Sequence, residues 1–436
     1  MPMSEAFKQR LLPVLPEIIQ YYGTPLRIFD EQGIRDEARN LKVIFQNPIF
    51  DFQEFFAVKA WPNHPVIAKL MYQEQGFGFD CSSPSELISM RWHNVPASHL
   101  MLTSNNTPDE LFELAIAGGG CILNLDDITM IERVPEFPEL ICFRYNPGRL
   151  RPGTEFIGEP VDSKYGVPHR DIVKAYRRAI ERGAKRFGLH TMIISNELRY
   201  SYMVETVRML LNVIEMVSAK LGIQFEFINI GGGIGIPYRP ADKPFNMPGL
   251  ARDAGKLLYQ FKEKHGYSPR LFMECGRLMT GPHAVLVAKV IQRTVKYHKF
   301  IGVDTCTLAA NPRPAVYPTA YHHIDILDPD CRPKEGKREL VYVHGSLCEN
   351  NDYFARRRIL PRTEVNDYMM QHGVGAHSPA MCSNYNGWLR IKEVLFRSDY
   401  SAELIRRAET LDDLFATLKY KPKILQLSKG KGGIEK

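Results

Sequence analysis

Eight short apolar segments alternate with helix-like segments through the first two thirds of the chain, and this alternation strongly constrains the fold. The residue pattern predicts strands at 53–58, 76–80, 99–103, 120–124, 139–145, 186–190, 225–230 and 270–274. Apolar residues at helical spacing predict helices at 62–75, 84–92, 107–117, 169–182, 198–221 and 248–265. Eight strands that alternate with helices predict a (β/α)8 barrel, similar to a TIM barrel.

The pattern changes after residue 285. Segments 285–295, 339–343 and 391–396 have the character of strands joined by turns that contain Pro and Gly. We therefore expect a barrel domain at 31–284 and a second, β-rich domain at 285–436. Segment 1–30 precedes the first barrel strand, and its apolar run at 26–29 could pair into the second domain and complete it.

Composition excludes several classes of protein. The net charge of +7 is modest for 436 residues, and the basic residues are scattered apart from a lysine-rich end around Lys429 and Lys431, so nothing indicates a nucleic-acid partner. The charged N-terminus is not typical of a signal peptide, and no apolar run reaches the roughly 18 residues of a membrane helix. Eight cysteines without a CxxC pair suit reduced thiols, so we expect a cytoplasmic protein without a membrane partner.

Residues able to do chemistry follow five of the predicted strands. They are Lys59, Asp80, His190, the glycines 231–233 and the run 274–277. Because the carboxyl ends of barrel strands form one face, on which barrel enzymes build their active sites, we expect these residues to converge. No metal site is expected among them.

Lys59 ends the apolar run Phe55-Phe56-Ala57-Val58. An apolar surround would favour the neutral amine, which is the nucleophilic form and can form a Schiff base with an aldehyde such as pyridoxal phosphate. Taken alone, a solvated lysine at a strand end is the commoner interpretation.

The seventh and eighth strands add a candidate phosphate site and a buried acid. Gly231, Gly232 and Gly233, with Gly276, would let backbone amides approach a phosphate, although a tight turn explains the same glycines. Glu274 lies in an apolar strand, where a structural salt bridge is the ordinary explanation. If it faced a pyridine nitrogen instead, it would keep that nitrogen protonated and make the ring an electron sink.

Seven motifs carry a resemblance to a known family. They are FAVKA at 56–60, FDCSSPSEL at 79–87, INIGGGIGIPY at 228–238, ECGR at 274–277, RPAVY at 313–317, GSLCENND at 345–352 and NYNG at 384–387. In this order they resemble pyridoxal phosphate-dependent decarboxylases of the alanine racemase-like fold, and within it diaminopimelate decarboxylase. The resemblance implies a barrel plus a β domain, and a head-to-tail homodimer that shares its active sites.

The resemblance also implies roles for individual residues. Lys59 would be the Schiff-base lysine and Glu274 the partner of the pyridine nitrogen. Cys348 of the neighbouring subunit would protonate Cα after CO2 leaves, although a packed, inert thiol is the plainer interpretation. The further cofactor contacts would be Asp80, Ser195, Gly231, Gly232, Gly233, Gly276, Arg277 and Tyr385. The substrate contacts would be Arg277, Arg313 and Tyr317 for a distal carboxylate, Glu349 for a distal ammonium, and Tyr385.

The chain departs from the family pattern at several positions. Met192 takes the place of a histidine that stacks on the ring, Trp61 that of an asparagine, His377 that of a tyrosine, and Cys275 that of a proline. Segment 309–312 and Pro318 also differ. We expect most of these changes to lie near the substrate mouth.

The predicted function is decarboxylation of meso-2,6-diaminoheptanedioate (diaminopimelate) to L-lysine and CO2, with pyridoxal phosphate as cofactor. The runner-up is the same chemistry on another amino acid, or on an intermediate of siderophore or antibiotic assembly. A non-catalytic cofactor-binding regulator and a racemase are less favoured, because Lys59, Glu274 and Cys348 are retained and Glu274 favours a fully delocalised carbanion.

Overall fold

The computed structural model describes residues 3–48, 50–153, 158–317 and 319–419. The lysine-rich end around Lys429 and Lys431, and Pro318, lie outside the described residues. Within the described ranges, no helix is both long enough and apolar enough to cross a membrane.

The N-terminal segment forms two helices and a strand, followed by a longer helix. These elements are α1 (Glu5–Leu11), α2 (Leu15–Tyr22), β1 (Leu26–Asp30) and α3 (Glu31–Ile44). The side chain of Ser4 caps α1 by accepting a hydrogen bond from the backbone N–H of Phe7. Apolar residues of α1 and α2 pack on β1 and on strands of the second domain, so this segment is anchored by burial.

Eight parallel strands close into a barrel. In chain order, with one accessory two-residue strand, the strands are β2 (Phe52–Ala57), β3 (Gly78–Cys81), β4 (Leu100–Ser104), β5 (Ile122–Leu125), β6 (Leu140–Asn146), the accessory β7 (Val167–Pro168), β8 (Arg186–His190), β9 (Phe227–Asn229) and β10 (Arg270–Met273). Each barrel strand pairs with the next, and β10 pairs with β2 to complete the ring. The predicted (β/α)8 barrel is therefore confirmed.

Helices follow most of the barrel strands. They are α4 (His64–Ile67), α5 (Pro84–Trp92), α6 (Asp109–Ile116), α7 (Ile172–Glu181), α8 (Tyr200–Leu221), α9 (Met247–His265) and α10 (Gly276–Thr280). The prediction of a single helix at 62–75 is wrong in form, because α4 is one turn long and the chain continues as a π-helix over Ala68–Gln73. α3, which covers the barrel next to α9 and α10, is not among the predicted helices.

The second domain is a mixed sheet. Its strands are β11 (Ala284–Val295), β12 (Lys299–Val303), β13 (Ile324–Leu327), β14 (Arg338–His344), β15 (Tyr353–Pro361), β16 (Tyr368–His372), β17 (Lys392–Phe396) and β18 (Ala402–Arg406). Its short helices are α11 (Thr307–Ala310), α12 (Arg313–Val316), α13 (Ser378–Met381) and α14 (Leu411–Leu414). The expected β-rich domain is thus present beside the barrel.

β1 lies in the middle of this sheet, antiparallel to β11 and parallel to β17. The N-terminal strand and the later strands therefore share one sheet, and barrel residues begin only after it. The domain limits 31–284 and 285–436, with 1–30 added to the second, stay a prediction.

Candidate active site

A cavity of about 260 Å³ opens at the carboxyl ends of the barrel strands, where α12 and α13 of the second domain meet the barrel. The sequence-predicted site residues that line it are Lys59, Ser195, Gly232, Gly233, Glu274, Gly276, Arg277, Arg313 and Tyr317. Ala57, Met192, His377 and Met381 complete the wall. Residues at the ends of four barrel strands, β2, β8, β9 and β10, therefore meet in one place, as barrel geometry requires.

Lys59 sits in a 3-10 turn, Val58–Ala60, directly after β2. Its side chain is 48% exposed, and Nζ lies 4.0 Å from Oδ2 of Asp80. The expectation that apolar neighbours dehydrate this amine is therefore wrong: Phe55, Phe56 and Val58 are buried in the core, whereas the lysine side chain is half exposed at the cavity. The backbone N–H of His377 donates to the carbonyl of Ala60 at 2.7 Å, which fastens the turn to the second domain.

Asp80, at the end of β3, is a buried carboxyl beside the lysine. Its Oδ1 has no hydrogen-bond partner among the described residues. Burial raises the pKa of Asp80 well above its ordinary value, and the negative charge of Glu274 raises it further, while Lys59 acts in the opposite direction. This orphaned buried oxygen is a site where a bound group could make a polar contact.

Glu274 follows β10 and is 4% exposed. The amide of Asn229 donates to its Oε1 at 2.8 Å, and Nε2 of His190 lies 3.2 Å from the same oxygen. Burial alone would raise the pKa of Glu274, but His190, Lys59 and the Asn229 hydrogen bond outweigh it and place that pKa below its ordinary value. Burial lowers the pKa of His190 despite this acid. Glu274 is thus an ionised carboxylate in the cavity wall, without a lysine or arginine within salt-bridge distance among the described residues.

The glycine-rich turn after β9 passes close to other backbone. A Cβ on Gly232 would lie 2.4 Å from the carbonyl oxygen of Glu274. Gly233 has φ +86, and a Cβ there would lie 2.4 Å from the carbonyl oxygen of Ile194. Larger residues are excluded at both positions, so backbone amides border the cavity beside Ser195 and Gly276.

Two arginines form a further part of the cavity wall. Arg277 donates from Nη1 to the hydroxyl of Tyr238 at 2.7 Å and from Nη2 to Oγ of Ser195 at 3.3 Å. Arg313 is 3% exposed, and its guanidinium carbon lies 4.2 Å from the ring centre of Tyr238. Within the described part of the chain neither arginine has a carboxylate within 4.0 Å, so the wall carries uncompensated positive charge.

Cys348, Glu349 and Tyr385 lie outside this cavity. All three are exposed; the hydroxyl of Tyr385 donates to Oε1 of Glu349 at 2.8 Å, and the thiol of Cys348 lies 3.4 Å from Oδ1 of Asn386. The structure therefore brings these residues to one another and not to Lys59 of the same chain. We refer to them as the outer cluster. The roles predicted for them stay predictions.

The departures from the family pattern divide into two groups. Met192 and His377 line the cavity, as expected. Trp61 and Cys275 do not: Trp61 is buried and stacks on Phe29 at 4.0 Å, and the backbone N–H of Cys275 donates to the buried Glu54. The expectation that most departures lie near the substrate mouth is wrong for these two, because their side chains turn into the core.

Sequence reasoning missed Asn229, Tyr238 and His322. Asn229 and Tyr238 lie within the motif at 228–238, and only their position relative to Glu274 and Arg277 reveals a role. His322 contacts Arg313 from a loop nine residues further on, a contact for which the sequence holds no signal.

These features suit pyridoxal phosphate. The glycine turn and Ser195 offer donors for a phosphate, and Gly276 lines the same part of the cavity. Lys59 offers a reachable amine, and Glu274 offers an ionised carboxylate for the pyridine nitrogen. When bound, the cofactor supplies an electron-accepting ring. In the chain itself, the carboxylate of Glu274 would keep the ring nitrogen protonated, and the arginine wall would orient the amino acid. The second domain would limit the access of water. A barrel with this set of groups defines a pyridoxal phosphate enzyme.

Residues 32–281, more than half of the chain, match the pyridoxal-binding domain of the pyridoxal-dependent decarboxylase family. The chain belongs to this family, and it is a pyridoxal phosphate-dependent carboxy-lyase of the diaminopimelate decarboxylase type.

Similar proteins agree with this assignment. Protein TabA of Pseudomonas amygdali pv. tabaci is 39% identical over 422 residues, with 97% of each chain covered. A diaminopimelate decarboxylase of Methanothermobacter thermautotrophicus is 34% identical over 409 residues, covering 91% of this chain and 92% of the relative. The crystal structure of diaminopimelate decarboxylase from M. jannaschii in complex with L-lysine has a TM-score of 0.83, 27% identity and 94% coverage of each chain.

Proposed function

We propose that the enzyme decarboxylates meso-2,6-diaminoheptanedioate to L-lysine and CO2. The observation that carries the proposal is the cavity's charge layout. Lys59 and Glu274 line the cavity, with Asp80 beside Lys59. Arg277 and Arg313 form a cationic wall, and among the described residues neither has a carboxylate within 4.0 Å. An amino acid with a second, distal carboxylate would supply the missing anion, and a planar guanidinium suits a carboxylate. Tyr317 lines the same wall and would add a contact to that group.

The outer cluster supports the proposal that two subunits share each site. Cys348, Glu349 and Tyr385 are exposed and lie away from the cavity of their own chain. In a homodimer they would face the partner's cavity, where Glu349 would bind the distal ammonium and Cys348 would protonate Cα. The proposed dimer therefore gives these three residues a function that one chain alone does not.

The runner-up is decarboxylation of a different amino acid or biosynthetic intermediate. Two observations favour it as the alternative: Met192 and His377 alter the cavity wall, and a relative of 39% identity carries the name TabA rather than that of a diaminopimelate decarboxylase. Both proposals keep the same cofactor and differ in what the arginine wall binds.

Product analysis with the holoenzyme tests the substrate. We expect CO2 and L-lysine from meso-diaminopimelate, and no CO2 from L-lysine, which lacks the distal carboxylate. Arg313→Gln should lower kcat/KM for diaminopimelate about a hundredfold, since hydrogen bonds to a charged group contribute about 1.5–3 kcal/mol each. If diaminopimelate gives no lysine while another amino acid releases CO2, the runner-up replaces the main proposal.

We also propose a cytoplasmic location. All eight cysteines are free thiols, including the exposed Cys348, and free thiols persist in a reducing compartment.

A further inference from the structure

The buried Arg313 is held by neutral groups. Its guanidinium, 3% exposed, lies against the ring face of Tyr238 and 3.0 Å from Nε2 of His322. A buried guanidinium usually has a carboxylate partner, because an unpaired charge is costly away from water. In the described ranges no carboxylate takes this place.

The tautomer of His322 follows from its contacts. Its Nδ1 lies 2.8 Å from the carbonyl oxygen of His372, so Nδ1 must carry the hydrogen. Nε2 is then a lone pair that accepts from Arg313. His322 is completely buried, and its backbone carbonyl accepts a hydrogen bond from Arg358 at 2.9 Å. The imidazole ring packs edge to face against the ring of Tyr238, with the ring centres 5.0 Å apart.

Among the described residues, the charged groups that act most strongly on His322 are cations. Burial lowers the pKa of His322 well below its ordinary value, and Arg313, Arg277 and Arg358 lower it further, while the His372 carbonyl opposes them. The imidazole therefore stays neutral under ordinary conditions. It can orient Arg313 but cannot cancel its charge.

Tyr238 likewise orients Arg277 without cancelling its charge. Its hydroxyl accepts from Arg277 at 2.7 Å while its ring face supports Arg313, so one phenol contacts both arginines. Tyr238 is 5% exposed, which leaves little freedom for either guanidinium to turn away. Hydroxyl and imidazole partners fix geometry without adding negative charge.

We propose that His322 and Tyr238 are positioning residues that hold Arg313 and Arg277 without neutralising them, so that the pair presents its full positive charge to a distal carboxylate of the substrate. This inference rests on the proposed function. A carboxylate at position 322 would orient Arg313 equally well but would compete with the substrate for it.

The isosteric pair His322→Glu and His322→Gln isolates the charge. With holoenzyme and meso-diaminopimelate, we expect H322E to raise KM at least tenfold with kcat within about threefold of the parent enzyme. We expect H322Q, whose amide oxygen can still accept from Arg313, to keep KM within about threefold. His298→Glu makes the same change in net charge at an exposed position of the second domain and should leave KM unchanged.

A binding measurement separates this proposal from the identity of the substrate. Heptanedioate, a dicarboxylate without amino groups, is titrated calorimetrically into each holoenzyme, and melting curves report folding. We expect its affinity to fall at least tenfold in H322E and to persist in H322Q, with similar melting temperatures.

Each outcome has one meaning for the positioning role. If the parent enzyme makes no lysine but heptanedioate binding still separates H322E from H322Q, the substrate proposal fails and the positioning role stands. If heptanedioate does not bind the parent enzyme, if H322E and H322Q behave alike, or if H298E matches H322E, the positioning role is overturned.

Discussion

At the scale of single residues, Lys59 is an exposed amine rather than one dehydrated by apolar neighbours. The amine lies at the mouth of a cavity, 48% exposed, where an aldehyde can reach it without rearrangement of the barrel. Asp80 and Glu274 lie at the ends of the two strands that pair with β2, so acids rather than the apolar core lie beside the amine. Lys59 is therefore a reachable amine in the 3-10 turn after β2, and its role as the nucleophile stays a prediction.

Replacing Lys59 should abolish covalent attachment of the cofactor. Borohydride reduction of the holoenzyme should fix pyridoxal phosphate on the peptide that contains Lys59, and mass spectrometry should find no such adduct in Lys59→Ala or Lys59→Arg. The arginine variant keeps the positive charge, so it controls for electrostatics. An adduct of undiminished yield on another lysine would remove Lys59 from its assigned role.

Glu54 is a second residue whose chemistry only its burial reveals. It lies in β2, completely buried, where one carboxylate oxygen accepts from the N–H of Cys275 and the other has no partner among the described residues. Burial raises the pKa of Glu54 to about 8, with the charge of Glu274 adding to the shift and the Cys275 hydrogen bond opposing it. Glu54 is therefore protonated in the folded protein at neutral pH.

The sign of the resulting pH dependence is fixed by the direction of that shift. The unfolded chain ionises Glu54 near its ordinary pKa of 4.5 and the folded chain only near 8, so stability falls as pH rises between these values. Glu54→Gln should remove this fall, which is of the order of 3 kcal/mol between pH 5 and 8. Urea unfolding at both pH values measures it, with Glu181→Gln on the exposed end of α7 as control. An identical slope in parent and E54Q would contradict the buried, protonated state.

At the scale of elements, one buried acid joins β17, β1 and the Lys59 turn. The parallel register of β1 and β17 places Arg27 beside Glu393, and their side chains pair at 2.9 Å. Glu393 also accepts from Nε1 of Trp61 at 3.2 Å, two residues after Lys59. Trp61 thus ties the turn that contains Lys59 to the second sheet, which accounts for a departure that was expected at the substrate mouth.

Removal of Glu393 should be strongly destabilising. Glu393→Ala would leave the guanidinium of Arg27, 1% exposed, without its acid, and breaking a buried pair in this way costs about 3–5 kcal/mol. Glu403→Ala on the neighbouring β18 removes a partner of Arg397 at the exposed surface and should cost less than about 1 kcal/mol. Urea denaturation compares the two variants, and equal losses would contradict the structural role of Glu393.

At the scale of the whole molecule, the outer cluster and the cavity belong to different parts of the surface. Cys348 and Glu349 follow β14, and Tyr385 follows α13, whereas the cavity is built on the strand ends of the barrel. If two chains share each site, as proposed, neither chain is complete without the other.

Mixing inactive variants tests this proposal. Lys59→Ala and Cys348→Ala, refolded together in equal amounts, should recover about a quarter of the parent activity, because half of the dimers would carry one intact site. Lys59→Ala mixed with Glu274→Ala should recover nothing, since both changes fall in the cavity of one chain. CO2 release measures both mixtures, and failure of the first to exceed its separate components would contradict shared sites.

The sequence predicted the barrel well because each strand is a local apolar run and because eight strands that alternate with helices are typical of a closed barrel. It also predicted that Lys59, Ser195, Glu274, Arg277 and Arg313 meet, since strand ends and family motifs are local signals. It did not predict the His322 contact or the core position of Trp61, because both depend on how the second domain packs on the barrel. Contacts between residues far apart in the sequence produce no periodic pattern of residue types.

The sequence by itself determined the class of fold, the cofactor chemistry and the family, because these follow from hydrophobic spacing and from short motifs at strand ends. The tertiary structure decided the surroundings of each group: an exposed Lys59, a neutral Glu54, and arginines held by Tyr238 and His322. The physical reason is that burial and charge are properties of neighbours in space, which only the packed molecule supplies.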